Sequence, residues 1–177
     1  MKPRSGTNSV LTITSRQPLR STVAFLAFAA HNAEEALFTP DWATAHVELL
    51  EQYTRRDLVE TWAGSRFRLS LLVLTLMLLV LAVVSARAPR RGASVYLLLG
   101  VVAIFAANAL VPHIAGAILL GTYVPGVATA ILVVLPVAAW IFISTIREDF
   151  ATRRGSFIAA ISGIAFYAAV VGLAVCL

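Results

Sequence analysis

The motif His31-x-x-Glu34-Glu35 places one imidazole and two carboxylates close together in the chain. Side chains three or four positions apart share one face of a helix, so a helix here would bring all three groups together. Histidine and carboxylate side chains bind divalent metals such as zinc or iron, and they also accept and donate protons during catalysis. The motif therefore predicts a site for metal binding or acid–base chemistry, with His31, Glu34 and Glu35 as catalytic candidates.

The residues around this motif are apolar enough to enter a membrane. The stretch 19–38 is otherwise rich in Ala, Leu and Phe, and a charged side chain in the middle of a bilayer costs about 3 kcal/mol or more. Such groups persist mainly where they face a polar cavity, bind a cation or carry protons. A structural alternative has the two carboxylates hydrated near the outer interface, or paired with an arginine of the next segment, namely Arg55, Arg56 or Arg66.

A second polar pair, Asn108 and His113, lies inside another apolar stretch. Glu34 lies 14 residues after Arg20, at the cytoplasmic end of its stretch. Asn108 lies 14 residues after Ser94, near the start of its own stretch. A rise of 1.5 Å per residue places both at about 21 Å, in the outer half of the bilayer, where the two clusters are expected to meet. An ideal helix separates Asn108 and His113 by about 140°, an angle that Pro112 would relax. The alternative for His113 is a hydrogen-bonded histidine of the protein core.

The turn after this stretch and the helix that follows it supply two substrate-binding candidates. Tyr123 is expected at the outer rim of the membrane, and Thr129 lies one turn into the next helix. Both side chains would face the cavity that the two polar clusters share. For Tyr123 the alternative is an aromatic anchor at the membrane interface, where Tyr and Trp are enriched.

Composition indicates a membrane protein. Of the 177 residues, 59% are hydrophobic and only 13% are charged, against about 25% charged residues in soluble domains. The net charge is +5, but the basic residues lie in short segments between apolar stretches, as they do in the loops of membrane proteins. We therefore expect the lipid bilayer as the main partner and no nucleic acid. The single cysteine, Cys176, permits no disulfide within the chain.

The pattern predicts an all-α fold, an integral membrane bundle with five transmembrane helices and one amphipathic surface helix. Each of five apolar stretches reaches about 20 residues, the length that spans a bilayer. After the first stretch, Thr39 and Pro40 indicate a helix stop and a new start, followed by apolar residues at helical spacing. We predict a disordered cytoplasmic tail over 1–17 and a single membrane domain over 18–177. Its spans are about 19–38, 67–86, 93–120, 126–146 and 156–176, with the surface helix at about 41–62.

The placement of arginine predicts the orientation. Arginines cluster in the tail and in the second-to-third and fourth-to-fifth connections, whereas the segment 39–66 balances its arginines with acidic residues. Because positive charge favours the cytoplasmic side, we predict the N-terminus inside and the C-terminus outside. In an alternative reading, Arg16, Arg20 and Ala27-Phe28-Ala29 belong to a cleaved signal peptide, which would leave four spans. The apolar pattern that continues through Phe38 favours a retained helix.

The segment His31-Asn32-Ala33-Glu34-Glu35, in a first membrane helix, resembles the motif for which the HXXEE domain family is named. Asn108 and His113 resemble that family's later Asn/His motif, although they stand slightly further apart than in the family pattern. The resemblance extends over most of the chain. It implies a small bacterial protein that crosses the inner (plasma) membrane several times, and an integral membrane enzyme without an assigned family-wide activity.

Two mechanisms fit these residues. In the first, a divalent metal, zinc or iron, is bound by His31, Glu35 and His113 and promotes hydrolysis of an amphiphilic substrate. Glu34 would then be the general base, and Asn108 would orient water or stabilise an oxyanion. In the second, no metal is bound, and a protonated Glu donates a proton while His31 or the other Glu removes one during isomerisation or cyclisation of an isoprenoid-like substrate. The contrasting hypotheses are a proton- or cation-coupled transporter and a non-enzymatic membrane partner protein that binds through the segment 41–62.

Overall fold

The computed structural model describes residues 16–176, with side chains through residue 173. This part of the chain contains helices and short connections and no strand, which confirms the all-α prediction. The predicted disordered tail falls mostly on residues 1–15, outside the described part, and Gln17 already belongs to a helix. The helices are α1 Gln17–Ala45, α2 Val47–Leu50, α3 Arg56–Ala63, α4 Ser65–Ala86, α5 Ala93–Leu120, α6 Val127–Arg147 and α7 Arg153–Cys176.

Four helices of the described part, α4 to α7, are long and apolar enough to cross a membrane. By length and composition, the predicted count of five spans is therefore corrected to four candidates among residues 16–176. At 29 residues α1 is long enough, but His31, Asn32, Glu34 and Glu35 make it too polar to count with the others. The same residues that suggest chemistry thus set the first helix apart from the four more apolar ones.

The predicted stop at Thr39-Pro40 is wrong, because α1 continues through Pro40 to Ala45. Proline has no N–H to donate to the carbonyl four residues earlier, which usually breaks a helix. Here that carbonyl, Ala36 O, accepts a hydrogen bond from Arg68 Nε of α4 at 3.0 Å. The side chain from α4 thus supplies the missing donor and allows the helix to continue.

The predicted surface helix over 41–62 is also wrong as a single element. This segment contains the end of α1, the single turn of α2, and most of α3. Its apolar residues do share a small core, in which Ala43, Leu50 and Val59 are buried and contact Leu120 at the end of α5. The segment folds back on itself and covers that end of the bundle, because the end of α1 and two short helices bury the apolar positions that one straight helix would spread along its length.

Two of the long helices contain a π-helical segment. In α5 it runs over Ala109–Ala115 and includes Pro112, and in α6 it runs over Ala130–Val134. A π-helix joins each residue to the fifth one along, and such segments are frequent at functional sites. The predicted kink at Pro112 therefore takes the form of a wider helical turn, which places Asn108 and His113 one turn apart instead of on different faces.

The core of the bundle forms where α1 packs against α4, α5 and α6. On α1, Ala24, Ala27 and Phe28 are almost fully buried, and the Phe28 ring stacks on Phe105 of α5 with ring centroids 3.8 Å apart. Small residues on this face permit close helix contact. Packing along this face holds His31, one turn further on, in a fixed position.

The beginning of α1 is anchored by a fully buried arginine. The Arg20 guanidinium forms an ion pair with Glu148 at 2.5 Å and donates hydrogen bonds to Ser144 of α6 and to Gln17. Glu148 also lies 3.9 Å from Arg16, whose side chain is 69% exposed. Buried Arg20 and exposed Arg16 therefore share the Glu148 carboxylate.

We expect Arg20→Met to lower the free energy of unfolding by about 2 kcal/mol, since it removes the buried member of an ion pair and leaves the partner carboxylate with only the exposed Arg16. Arg16→Met is the matched control and should change it by about 0.5 kcal/mol or less, because exposed pairs contribute little. Unfolding of both variants in the same detergent measures the difference. Equal destabilisation by the two substitutions would contradict the assigned burial.

Candidate functional site

His31 and Glu35 of α1 meet His113 of the π segment in α5. The two imidazole rings lie edge to face, with centroids 4.7 Å apart, and Glu35 Oε1 is 3.2 Å from His113 Nε2. One potential ligand atom from each of the three residues lies within 4.8 Å of the other two. Both histidines are buried and Glu35 is partly buried, so the cluster is largely closed off by the protein.

The hydrogen bonds at Nδ1 determine which nitrogen of each ring faces the cluster. His113 Nδ1 is 2.7 Å from the carbonyl oxygen of Pro125, which can only accept, so His113 donates from Nδ1. His31 Nδ1 is 2.8 Å from the Thr129 hydroxyl, and that hydroxyl donates to Gly126 O at 3.2 Å. His31 therefore also donates from Nδ1. In their neutral forms both rings present the lone pair of Nε2 to the cluster.

Asn108 lies one π-helical turn before His113 and contacts both rings. Its Nδ2 is 3.3 Å from His31 Nε2 and 3.1 Å from His113 Nε2. Its Oδ1 accepts a hydrogen bond of 3.2 Å from the hydroxyl of Tyr167 in α7. The amide thus offers a hydrogen-bond donor at the point on which the two lone pairs converge, and Tyr167 fixes its orientation.

The Glu34 carboxylate is bound at the N-terminus of α6. It accepts hydrogen bonds from Gly126 N at 3.0 Å, from Thr129 N at 2.9 Å and from the Tyr123 hydroxyl. A carboxylate at this position satisfies backbone donors that the helix itself leaves free and is favoured by the helix dipole. Burial, together with the bond to Glu34, raises the pKa of Tyr123 to about 12, so its hydroxyl remains a donor at neutral pH. Glu34 therefore fastens the start of α6 against α1.

Gly126 permits this arrangement because of its backbone and its size. Its φ is +92°, in the left-handed region that favours glycine. A Cβ at this position would lie 2.5 Å from His113 Cε1 and 3.0 Å from His31 Cε1. The two rings occupy the space that any side chain at residue 126 would need.

We expect Tyr123→Phe to lower the free energy of unfolding by about 1 kcal/mol, because Glu34 loses one of its three donors while water at the half-exposed rim replaces part of that bond. Tyr53→Phe is the control, since Tyr53 is 54% exposed and Tyr123 is 47% exposed, and it should leave stability unchanged. Denaturant unfolding of both variants measures this, and equal midpoints for the two would show that the Tyr123–Glu34 bond contributes nothing.

All seven residues predicted from the sequence come together in one place. These residues are His31, Glu34, Glu35, Asn108, His113, Tyr123 and Thr129. The proposed arginine partners of the carboxylates are corrected: Arg55 pairs with Asp57, Arg56 pairs with Glu51 and Glu60, and Arg66 has no ion pair in the described part of the chain.

Sequence reasoning missed three contributors to the site. Pro125 acts through its carbonyl and Gly126 through its N–H and missing side chain, and the adjacent Pro-Gly pair could have indicated a backbone turn with special geometry. Nothing in the sequence connects Tyr167 to Asn108. Asn32, inside the motif, instead donates to Thr75 of α4 at 2.9 Å and joins α1 to that helix.

Comparison with known proteins confirms the resemblance noted in the sequence. Residues 22–141, more than half of the chain, match the family described as "Protein of unknown function with HXXEE motif". The "Uncharacterized protein YrkK" of Bacillus subtilis (strain 168) is 26% identical over 117 residues, which cover 65% of this chain and 68% of that protein. No solved structure matches the chain. The matched segment includes every residue of the site except Tyr167, and the chain belongs to the family of proteins of unknown function with an HXXEE motif.

Proposed function

We propose that this chain is a membrane-embedded metalloenzyme that binds a divalent metal through His31, Glu35 and His113 and hydrolyses a lipid-like or amphiphilic substrate. One observation carries the proposal. Two histidines with fixed Nδ1 donors place ligand atoms within 4.8 Å of each other and of a carboxylate oxygen. Three such ligands and one remaining position are the usual arrangement of a catalytic zinc site.

The surroundings of the three ligands also suit a metal. Metal-binding histidines almost always donate their other ring N–H to a carbonyl, carboxylate or water, which orients the ring and strengthens it as a ligand. Pro125 O accepts that bond from His113, and the Thr129 hydroxyl accepts it from His31. The 3.2 Å between Glu35 Oε1 and His113 Nε2 is close to the separation of about 3.3 Å between two ligands on a tetrahedral zinc with bonds of about 2.0 Å. Zinc therefore suits this set by the type of its ligand atoms and by this one separation, and iron is the second choice.

The remaining residues would serve the reaction by position. A bound zinc ion supplies a Lewis acid that polarises a substrate carbonyl or phosphoryl oxygen. Asn108 Nδ2 donates to both Nε2 lone pairs in the free site. With a metal on those lone pairs the amide would be released to donate to a developing oxyanion or to hold water. Glu34, with hydrogen bonds to both carboxylate oxygens, would hold α6 and Thr129 in place instead of serving as the general base expected from the sequence.

The location of the cluster supports a substrate that enters from the bilayer. α1 packs against three of the four candidate spans, and we propose that it crosses the membrane beside them as a further, more polar span, its polar groups covered by protein. Arginines predominate where α4 meets α5 and where α6 meets α7, which supports an orientation with that end in the cytoplasm. The N-terminus would then be cytoplasmic, the C-terminus outside, and the membrane the bacterial inner membrane.

A metal-free acid–base enzyme, an isomerase or cyclase of an isoprenoid-like substrate, is the second candidate. It is favoured by the 3.2 Å contact between Glu35 and His113, across which a proton could move. A carboxyl and an imidazole in different surroundings can act as a proton donor and acceptor pair. The two candidates differ in whether a metal is needed.

Elemental analysis combined with a turnover assay tests the proposal. We would purify the full chain in detergent without a histidine tag, measure its metal content, and incubate it with membrane lipid extracts that are then analysed by mass spectrometry. The expected result is about one zinc per chain, with hydrolysed lipid that disappears after chelation and returns with added zinc. Metal-free protein that isomerises or cyclises a lipid would overturn the metal proposal and favour the acid–base enzyme, and a metal-loaded protein that leaves every lipid intact would overturn hydrolysis.

A further inference from the structure

A groove of about 340 Å³ lies between the end of α6 and the beginning of α7. It is about 20 Å from Thr129 along α6, at 1.5 Å per residue, and so is separate from the site described above. Its walls are mostly apolar, and its two polar members are an arginine and a serine. The lining residues are Phe142, Ile146, Arg153, Ser156, Phe157 and Ala160.

A buried hydroxyl lines this groove and has no partner among the described residues. Ser156 is 1% exposed, and its Oγ forms no hydrogen bond within the part of the chain that the structure describes. Buried polar groups in proteins almost always have a partner, which is often a ligand or water when the protein provides none. Ser156 belongs to the first turn of α7, a 24-residue helix, whose N-terminal dipole favours anions. The N–H groups of Gly155 and Ser156 already bond Thr152, so the dipole and the side chains would attract the anion.

The charge around the groove is positive and uncompensated. Arg147, Arg153 and Arg154 stand at this end of α6 and α7, and none of them forms an ion pair among residues 16–176. The two acidic residues of the connection are already in use, because Glu148 pairs with arginines of α1 and Asp149 pairs with Arg91. An anionic ligand would therefore complement the surface that remains.

We propose that this groove binds one phospholipid with an anionic head group. The phosphate would lie by Arg153 and Ser156 at the N-terminus of α7, and an acyl chain would lie along Phe142, Phe157 and Ala160. Basic pockets between membrane helices are known to bind anionic lipid head groups, and the groove combines such a pocket with an apolar channel. This inference concerns the opposite end of α6 and does not depend on the proposed metal site.

Native mass spectrometry of the full chain in detergent tests the proposal. Phosphatidylglycerol and phosphatidylcholine with identical acyl chains would compete for the protein, and inorganic phosphate would be added separately. We expect one phosphatidylglycerol bound in preference to phosphatidylcholine. Arg153→Gln should weaken that binding about fivefold, as expected for one basic residue beside an anionic lipid. Ala160→Phe should weaken the binding of both lipids, because the new ring fills the groove.

Arg87→Gln is the matched control, because it removes the same charge from the same end of the bundle at a residue outside the groove. It should retain the lipid, and unfolding midpoints would show that all variants fold. Equal binding of the two lipids, or equal losses in Arg87→Gln and Arg153→Gln, would overturn a specific site. Binding of inorganic phosphate as strong as that of phosphatidylglycerol would also overturn it, because the apolar groove would then contribute nothing.

Discussion

Replacing His113 with alanine is expected to weaken zinc binding by about a hundredfold or more, since even the loss of a residue that only supports a metal ligand lowers affinity by about ten- to a hundredfold. His113 contacts Glu35 and Asn108 through Nε2 and is fixed by Pro125 O through Nδ1. Alanine would leave two ligands from α1 alone. Competition with a chromophoric chelator on the purified protein measures the change in zinc affinity.

His46→Ala is the control for this experiment. The His46 ring stacks on Trp42 and bonds the Trp42 carbonyl, and it lies outside the three-residue cluster. This variant should bind zinc with unchanged affinity. That result would distinguish a specific site at the three-residue cluster from nonspecific zinc binding by any single histidine. Full zinc affinity in His113→Ala, or an equal loss in His46→Ala, would contradict the assigned ligands.

The bounds of the four apolar helices could be predicted closely because the length of each apolar stretch is read directly from the sequence. The stretch predicted at 67–86 is α4 at Ser65–Ala86, and the stretch at 93–120 is α5 at Ala93–Leu120. The continuation of α1 could not be predicted in this way. It depends on Arg68, whose guanidinium reaches a carbonyl 32 residues earlier in the chain, and no local pattern around Pro40 reports that contact.

The site could be predicted as a set of residues but not as a geometry. The cost of placing His31, Glu34 and Glu35 in an apolar helix pointed to them, and helical depth connected them to Asn108. The ideal-helix angle between Asn108 and His113 argued against their meeting, and the π segment removes that difficulty. Pro112 marks where regular helix fails, but the form of the irregular turn depends on packing around it, including the bond from His113 to Pro125.

Gly126→Ala is expected to lower the free energy of unfolding by about 3 kcal/mol and to abolish tight zinc binding. The φ of +92° costs a residue with a Cβ about 1–2 kcal/mol. The Cβ would also lie 2.5 Å from His113 Cε1 and 2.6 Å from its Nδ1, and such overpacking typically costs about 1–3 kcal/mol. Relief of the clash requires the ring to move away from Pro125 O, which would turn Nε2 away from Glu35 and His31.

Gly121→Ala separates the backbone effect from the clash. Gly121 also has a positive φ, +64°, but a Cβ there would meet no atom within 4 Å. This variant should lose only about 1 kcal/mol and keep its zinc affinity. Measuring unfolding and zinc affinity for both variants then tests the idea that Gly126 is required for the space beside the two histidines. An imidazole 2.5 Å from the new Cβ has to move. Wild-type zinc affinity in Gly126→Ala, or an equal loss of stability in the two variants, would therefore show that the histidines are not held where the structure places them.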